Sequence, residues 1–376
     1  MKIVIFSWRD PKNPLAGGAE QITLKYAEKW VKHGYKVLWL SSVFKDSTKV
    51  DFVNGVKIVR LGRNLNVSLF NLIINFIYFY LSIIVYYLLN LRGRIDFVVD
   101  QIHGIPFLTP LYVKEKKVLM ICEIADQIWY KMFIFPINII GIFLERNLLR
   151  LYRSLNVWTI SYSTKSDLLG FGFKQDFIKV IPLGINNTPI ASNLFPPSKF
   201  NSLTILFVGR LVKMKGIEDA ILCVSHLVDE YPDIMLYVVG KGNKDYEDFL
   251  KNFINNLNVG KHVKLLGYIN DELKNEYFAK SHIFIHPSVK EGFGLTVLEA
   301  GANGTPSVVY NIHGLKDLII HNIDGVICTS NTPQSMAESV SYLYKSQDLY
   351  CILQKNIWEK SKNYTWQSIP MLIVDD

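Results

Sequence analysis

Two glutamates, Glu291 and Glu299, stand eight positions apart with two glycines between them, in the string Glu291-Gly-Phe-Gly-Leu-Thr-Val-Leu-Glu299. Because glycine has no Cβ, Gly292 and Gly294 let backbone N–H groups come close to a ligand. The apolar residues from Leu295 onward predict a buried helix that holds Glu299 one turn inside and leaves Glu291 in the preceding loop. A loop that opens a helix attracts anions. With a carboxylate on either side, it suits a ligand that carries both phosphate and hydroxyl groups, such as a nucleotide sugar.

A basic loop follows another predicted strand, in the string Gly209-Arg-Leu-Val-Lys-Met-Lys-Gly216. Arg210 and Lys215 flank a turn into a predicted helix. Together they could hold a diphosphate, because a guanidinium binds phosphate oxygens in pairs and an ammonium acts as a point charge. A solvated basic loop is the alternative, and the two glutamates downstream favour the diphosphate interpretation.

Paired glycines, Gly17 and Gly18, open a predicted helix just after the first predicted strand. They could cradle a phosphate or an acceptor, or they could form a tight turn that requires positive φ. Both interpretations stay open. His103 follows a later predicted strand and is a candidate for acid–base work, although a lone histidine is more often structural.

The elements that must position these residues follow from the hydrophobic pattern. Short β-branched runs alternate with longer helical periods, which is typical of βαβ units on parallel sheets. The predicted strands are Lys2–Ser7, Lys36–Ser41, Val56–Leu61, Phe97–Asp100, Val118–Ile121, Val157–Ser161, Ile178–Ile181, Thr204–Val208, Met235–Val239, Val263–Leu266, Ile283–His286 and Ser307–Val309. The predicted helices are Ala19–His33, Leu69–Leu91, Ile139–Leu151, Thr164–Gly170 (capped by Ser163), Gly216–Glu230, Asp245–Leu257, Asp271–Ala279, Leu295–Asn303, Leu315–His321, Thr332–Tyr344 and Asp348–Lys362.

We therefore expect an α/β chain of two Rossmann-like domains that face a cleft, with ligand at the carboxyl ends of the strands. Residues 1–185 would form the N-terminal, acceptor-side domain and residues 203–347 the nucleotide-sugar-binding domain. Residues 186–202, rich in Pro and Asn, predict a linker. Residues 348–376 would form a C-terminal helix and tail.

Composition limits the class of partner. The chain has 376 residues, enough for two domains, and a net charge of +8. A basic protein suits nucleic acid, an anionic membrane surface or phosphorylated ligands. Nucleic acid is not expected, because the sequence has no zinc-finger spacing, RNP-like run or Arg-rich arm. Four scattered cysteines without a C-x-x-C pair indicate a reducing cytosol, and the first residues predict a strand rather than a signal peptide.

A nearly continuous apolar stretch, Val67–Leu91, is long enough to span a bilayer. A span would place residues 1–66 and 92–376 on opposite sides of the membrane and divide one apparent domain. We therefore favour a helix that is buried or lies at an interface, with Arg92 and Arg94 suited to a headgroup boundary. The later run Tyr130–Phe143 is a second candidate surface or ordinary core. The predicted location is cytoplasmic, with a peripheral position at the inner face of the cell membrane as an option.

Four strings together resemble the family 4 retaining glycosyltransferases, which have the GT-B fold. They are Ala16-Gly-Gly-Ala-Glu20, Val180-Ile-Pro-Leu-Gly-Ile-Asn186, Gly209-Arg-Leu-Val-Lys-Met-Lys-Gly216 and Glu291-Gly-Phe-Gly-Leu-Thr-Val-Leu-Glu299, in the family's order. The resemblance implies transfer of a sugar from a nucleoside diphosphate sugar (UDP or GDP), with retention at the anomeric carbon and no protein nucleophile. The apolar helix and the basic charge suggest a lipid-linked or membrane-proximal glycan as acceptor.

The resemblance also implies roles for individual residues. Arg210 and Lys215 would hold the donor diphosphate, Glu299 would accept from the ribose hydroxyls, and Glu291 would hold the donor sugar. Further donor-binding positions are Gly17, Gly18, Gly209, Gly292, Phe293, Gly294 and Leu295. The Gly17–Gly18 loop would close against the phosphates or the acceptor. No metal cofactor is expected, because no Asp-x-Asp lies in a likely donor loop.

Three features depart from the family pattern. No His follows the predicted strand Val118–Ile121, in the string Ile121-Cys122-Glu123-Ile124-Ala125-Asp126, and Leu183 stands where the family usually has Asn. The sequence ends soon after Trp366, which is short for a family whose last helix crosses back to the first domain. Alternatives are a non-catalytic nucleotide-sugar-binding protein, a sugar-nucleotide epimerase, for which only His103 is an obvious acid–base group, and a phosphorylase, which would need a lysine-bound cofactor.

Overall fold

The computed structural model describes residues 1–63, 69–125, 129–130 and 135–372, with side chains left undescribed for 69–73. The chain divides into two compact units. The first comprises Met1–Pro182 together with the segment that begins at Pro370, and the second comprises Leu183–Ile369. The start of the apolar stretch at Val67, Asp126 and residues 131–134 of the second candidate surface lie outside the described residues.

The first unit contains an eight-stranded sheet in the order β3-β4-β2-β1-β5-β6-β7-β8, parallel except for the antiparallel pair β3–β4. Its strands are β1 (Lys2–Ser7), β2 (Lys36–Ser42), β3 (Val50–Val53), β4 (Val56–Leu61), β5 (Phe97–Ile102), β6 (Lys116–Ile121), β7 (Asn156–Thr159) and β8 (Ile178–Val180). Its helices are α1 (Gly18–Lys32), α2 (Leu69–Tyr86, continued by a π-helical turn over Tyr87–Leu91), α3 (Thr109–Tyr112), α4 (Ile137–Leu148) and α5 (Tyr162–Gly170).

The central strands β1 and β5 of this sheet are adjacent and parallel, with Phe6 opposite Asp100. Both are buried along almost their whole length, as expected for strands covered by helices on both faces. The loops that follow them leave the same edge of the sheet. This adjacency brings the Gly17–Gly18 loop and His103 to one place, although 85 or more residues separate them (103 − 18 = 85).

The second unit contains a six-stranded parallel sheet in the order β11-β10-β9-β12-β13-β14. Its strands are β9 (Thr204–Val208), β10 (Met235–Val239), β11 (Val263–Gly267), β12 (Ile283–His286), β13 (Ser307–Val309) and β14 (Val326–Ile327). Its helices are α6 (Ile217–Ser225), α7 (Lys244–Asn256), α8 (Asp271–Lys280), α9 (Leu295–Ala302), α10 (Leu315–Leu318), α11 (Pro333–Lys345) and α12 (Gln347–Ser361). Here β9 and β12 are neighbours, with Leu206 opposite Phe284, so the basic loop and the glutamate loop leave the same edge.

The segment expected as a linker, residues 186–202, instead belongs to the second unit. Lys199 explains much of this, because its ammonium donates to the carbonyls of Ala279 and Gly304 at 2.8 and 2.9 Å. The boundary between the units also falls before Leu183 rather than after residue 185. The helix α12, expected as part of a separate tail, packs in the second unit through its buried residues, including Leu353.

The end of the described chain returns to the first unit, although the sequence suggested that it was too short to do so. Leu372 is buried, and its carbonyl accepts a hydrogen bond from Trp30 Nε1 at 3.0 Å. One predicted cap was also wrong: the side chain of Ser161, not Ser163, accepts the N–H of Thr164 at the start of α5. The pattern missed β3, β14 and α3, all of four residues or fewer.

Candidate functional site

Two side chains of the second unit, Lys215 and His286, meet at the carboxylate of Glu291. Its Oε2 lies 2.6 Å from Lys215 Nζ and 3.1 Å from His286 Nε2. Burial by itself would raise the pKa of Glu291, but Lys215 and His286 outweigh it and hold that pKa well below its usual range. Burial lowers the pKa of His286, so its neutral ring donates Nε2–H to the carboxylate. The result is an ionised carboxylate fixed by a cation and an imidazole, with the side chains of Lys215 and Glu291 each 18% exposed.

The backbone around Lys215 requires a glycine. Lys213–Lys215 forms a 3₁₀ turn, and Gly216 then adopts φ +71° before α6 begins. A Cβ on Gly216 would lie 2.1 Å from the carbonyl oxygen of Pro287. Only glycine therefore lets the basic loop pack this closely against the loop after β12, which is the approach that joins Lys215 to Glu291.

The glutamate loop is fixed by a second close approach. Gly314 has φ +83°, and a Cβ there would lie 2.2 Å from the carbonyl oxygen of Glu291. The loop ends at Gly294, which has φ +97° and is the N-cap residue of α9. Gly292 and Gly294 are buried, while Phe293 and Leu295 are half-buried. These four predicted donor-binding residues therefore form one continuous turn at a helix N-terminus, an arrangement able to bind an anion.

Glu299 lies one turn inside α9, as the sequence predicted. Its Oε2 is 3.4 Å from Nζ of Lys274 on the neighbouring helix α8. Burial raises the pKa of Glu299, and Lys274 opposes that rise. Both carboxylate oxygens can accept hydrogen bonds from a polyhydroxyl ligand when the group is ionised, whereas the protonated form presents one fewer acceptor, so the neighbouring cation matters to binding.

Gly209 and Arg210 begin the basic loop directly after β9. The amide of Gly209 donates to the carbonyl of Val239 at 3.0 Å, and a Cβ on Gly240 would lie 1.8 Å from the carbonyl oxygen of Gly209. Two strand-end turns are thus packed backbone to backbone. Arg210 follows on this edge and is half-buried.

In the first unit, Glu20 occupies the position between the glycine loop and His103. Its Oε2 accepts the N–H of Gly17 at 2.7 Å, and its Oε1 lies 3.3 Å from His103 Nε2 and 3.9 Å from a guanidinium nitrogen of Arg9. Burial would raise the pKa of Glu20, but His103, Arg9 and the Gly17 amide together lower it. The buried carboxylate of Glu20 is therefore ionised. Through the amide of Gly17 it holds the glycine loop at the start of α1.

Neither Gly17 nor Gly18 adopts the positive φ that a left-handed turn requires. Gly17 has an extended backbone with φ −134°, and Gly18 begins α1 without a positive φ. Within the part of the chain that the structure describes, no neighbouring atom lies within 4 Å of the place where a Cβ of Gly18 would stand. The tight-turn interpretation is therefore not supported.

A buried ion pair anchors the other end of this loop. Asp10 accepts from Arg60 Nε at 2.7 Å and from a terminal guanidinium nitrogen at 3.0 Å, and from the Ser41 hydroxyl at 2.8 Å. Both charged side chains are at most 1% exposed. Loss of Arg60 would leave the buried Asp10 without its cation, so the pair fixes the loop geometry strongly.

Four residues at these sites were not given roles from the sequence: Arg9, Glu20, Lys274 and His286. Glu20 lies inside a quoted string and His286 ends a predicted strand, so their positions carried a signal. Lys274 carried none, because its contact with Glu299 depends on how α8 packs beside α9. Among the described residues, no group of three or more His, Cys, Asp or Glu side chains could hold a metal ion.

The sequence model of the family described as glycosyl transferases group 1 matches residues 194–363, within the second unit. An uncharacterized glycosyltransferase of Methanocaldococcus jannaschii is 32% identical over 233 residues, which is 58% of either chain. The chain spans about half the length of the curated relatives it matches.

Solved structures match the chain over nearly its whole length. Sucrose-phosphate synthase from Thermosynechococcus elongatus is similar with a TM-score of 0.79 and 18% identity, covering 98% of this chain and 96% of that one. HepE from Anabaena, solved in complex with UDP, has a TM-score of 0.72 and 16% identity, covering 98% and 97%. The fold is GT-B. The GT-B fold accounts for the two parallel sheets and places both candidate sites at strand ends, where open α/β sheets bind ligands.

Proposed function

We propose that this chain is a retaining glycosyltransferase of the hexosyltransferase type. It transfers a sugar from a UDP-sugar or GDP-sugar to a lipid-linked or membrane-proximal glycan. The observation that carries the proposal is the cluster of Lys215, His286 and Glu291 beside the N-terminus of α9, with Glu299 one turn further on. The family match over residues 194–363 and the UDP bound by HepE support the choice of donor.

The proposed chemistry is stabilisation of a leaving diphosphate. Departure of the nucleoside diphosphate builds negative charge, and fixed cations offset it most effectively when they are already in place. Lys215 and Arg210 supply this charge in the proposal, so no metal is required. Glu291 is engaged by Lys215 and His286, so it orients the sugar and does not attack it. Attack from the face that the diphosphate leaves gives retention, which the anomeric configuration of the product tests by NMR.

The first unit would hold the acceptor or the donor phosphates through the Gly17–Gly18 loop. Glu20 and Arg9 add a carboxylate and a guanidinium beside that loop, with His103 next to them. Such polar partners are needed to orient the hydroxyl of an acceptor. His103 is proposed to contact the reacting sugar or the acceptor hydroxyl from this position.

Replacement of Glu299 by alanine is expected to weaken nucleotide binding by about tenfold to a hundredfold, the range for a lost hydrogen bond to a charged group. The reason is loss of the carboxylate that accepts from the ribose. Titration of UDP, GDP, ADP and their sugar conjugates, followed by thermal stabilisation and calorimetry, measures it. Glu272→Ala is the matched control, because Glu272 is an exposed glutamate on α8.

The outcomes of this titration separate the candidates. Binding of one nucleotide that depends on Glu299 fixes the base and supports the donor site. Binding without product formation across an acceptor panel would favour a non-catalytic nucleotide-sugar-binding protein, and interconversion of the free donor sugar would favour an epimerase. Equal affinity in Glu299→Ala would contradict the ribose assignment.

A membrane-facing surface supports the choice of acceptor. Residues Ile74–Leu91 are long and apolar enough to cross a membrane, and 22% of this stretch is buried. One face packs on the sheet through the buried Phe79, Ile83 and Tyr87, at four-residue spacing. The outward stripe is also apolar, with Ile77, Tyr78, Leu81, Val85, Leu88 and Leu89 all exposed. We propose that this stripe lies in the plane of the membrane surface rather than spanning it.

A second exposed apolar surface lies on the same side of the sheet. Val98 and Ile102 are four positions apart on β5, so their side chains point to the same face of the sheet. Val98 belongs to the core cluster that contains α2, and Ile102 to the cluster that contains Leu149, which follows α4. On α4, Ile139, Ile140 and Phe143 are 49%, 51% and 64% exposed. Two apolar helices on one side would give the cytoplasmic protein a peripheral position at the inner face of the cell membrane.

The protein is expected to float with anionic phosphatidylglycerol vesicles at low salt. Leu81→Glu and Leu88→Glu together should abolish flotation, because they place charge in the exposed stripe without changing the core. Tyr342 is an exposed apolar residue of the second unit, so Tyr342→Glu should leave flotation unchanged. Wild-type protein that stays in the dense layer at low salt would count against the membrane proposal.

A further inference from the structure

Glu299 and Lys274 form an interhelical ion pair within the second unit. Lys274 Nζ lies 3.4 Å from Glu299 Oε2, and the two side chains are 17% and 15% exposed. The lysine is on α8 and the glutamate on α9. The pair therefore depends on tertiary packing and places a cation beside the carboxylate that the proposed function assigns to the ribose.

The surroundings of Glu299 make this cation important. A carboxylate withdrawn from water is biased toward its neutral form, and burial raises the pKa of Glu299 accordingly. Among the described residues, the charged groups that act on it are Lys274, which lowers that pKa, and Asp271, which raises it. Although burial lowers the pKa of Lys274, Glu299 and Asp271 together raise it, so the ammonium stays charged.

We propose that Lys274 is a positioning residue for donor binding: it holds Glu299 ionised and oriented so that the carboxylate can accept from both ribose hydroxyls. This inference rests on the proposed function of Glu299 and adds a residue that acts through it. A protonated glutamate would present one fewer acceptor oxygen to the ribose.

A purely structural role for Lys274 has a different signature. Lys274 also contacts Asp271 of its own helix at 2.8 Å, three positions earlier, and such pairs stabilise a helix slightly. Loss of that pair would change stability slightly at every pH. Loss of the contact with Glu299 would change the pH at which donor binding fails.

The test is calorimetry of UDP-glucose and GDP-mannose binding from about pH 6 to about pH 9. These donors suit it because their diphosphate keeps a constant charge over this range. In wild type, affinity should be nearly constant. In Lys274→Met, the pKa of Glu299 rises further, so affinity should fall by about tenfold or more at the acid end and recover at the alkaline end, since each pH unit below the pKa costs about tenfold in the ionised fraction. Lys274→Arg, which keeps the charge, should restore the wild-type profile.

Three controls make the result decisive. Lys251→Met removes a lysine from an exposed ion pair on α7 and should leave the profile unchanged. Asp271→Asn removes the contact within α8 and also a negative charge that raises the pKa of Glu299, so it should cause no loss of affinity at any pH. In a Glu299→Gln background, Lys274→Met should have no further pH-dependent effect, because the group it acts on is gone.

The outcomes distinguish the inference from the proposed function. If Glu299→Gln weakens binding while Lys274→Met leaves the profile of wild type, the donor site stands and the role of Lys274 is overturned. A loss in Lys274→Met that is the same at every pH overturns it as well. If Glu299→Gln has wild-type affinity, the ribose assignment itself fails.

Discussion

Replacement of Lys215 by alanine should reduce turnover by about a hundredfold or more at saturating donor, the range for losing one preorganised charge at a developing anion. Lys215 is the cation that contacts Glu291, at 2.6 Å, so its removal takes charge from the proposed diphosphate site and frees the carboxylate from its partner. The carboxylate of Glu291 would then remain half-buried beside a neutral His286. Its negative charge, no longer offset by Lys215, would repel the donor phosphates. Steady-state kinetics with the donor identified by titration measures the effect.

The control for this substitution lies two residues away. Lys213 is exposed in the same 3₁₀ turn, so Lys213→Ala makes the same chemical change without touching Glu291. Its turnover should stay within about twofold of wild type, as for most surface substitutions. Unchanged turnover of Lys215→Ala at saturating donor would show that Lys215 does not stabilise the transition state. A change confined to donor affinity would assign it to binding alone.

Replacement of Gly216 by alanine should destabilise the protein by roughly 2–4 kcal/mol, because it combines left-handed strain of about 1–2 kcal/mol with a backbone clash. The new Cβ would stand 2.1 Å from the carbonyl oxygen of Pro287, at φ +71°. Relief of the clash requires the two loops to separate, which carries Lys215 away from Glu291. We therefore expect a lower unfolding temperature together with a loss of turnover in the protein that remains folded. Thermal unfolding followed by circular dichroism, with kinetics well below the transition, measures both.

A glycine with the same backbone strain but no clash separates the two causes. Gly34 has φ +84°, and no neighbouring atom of the described residues lies within 4 Å of its Cβ position. Gly34→Ala should show only the strain, with a smaller fall in unfolding temperature and normal turnover. If Gly216→Ala behaved like Gly34→Ala, the close approach at Pro287 would not be what holds Lys215 in place.

Much of the fold followed from local patterns. Strands such as Lys2–Ser7, Thr204–Val208 and Ile283–His286 were predicted to the residue, because buried parallel strands are short β-branched runs bounded by turn residues. The elements β3, β14 and α3, of two to four residues each, were missed, although β12 and β13 of similar length were predicted. The cap of α5 was misplaced by two positions because serines at 161 and 163 are equivalent by composition, and only the backbone decides which one accepts the amide.

The linker is the clearest failure of local reasoning. Prolines and asparagines in residues 186–202 indicate an irregular chain, and the segment is largely irregular. A segment without regular secondary structure can still be held in place by its neighbours. Lys199 is held by three acceptors of the second unit, including the Thr305 hydroxyl at 2.8 Å. Composition predicts how a segment is built, whereas its attachment depends on partners 80 or more residues away.

The sequence by itself predicted the two α/β units and the glycine-rich strand ends, and it offered Arg210, Lys215, Glu291 and Glu299 as candidate site residues, because strand period, helix period and the spacing of glycines and carboxylates are local properties. The tertiary structure alone decided that β9 lies beside β12, and so that Lys215 contacts Glu291 across 76 positions. It alone placed Lys274 against Glu299 and Glu20 between Gly17 and His103. The physical reason is that burial and neighbouring charges set the ionisation of a carboxylate, and both arise only when distant segments pack together.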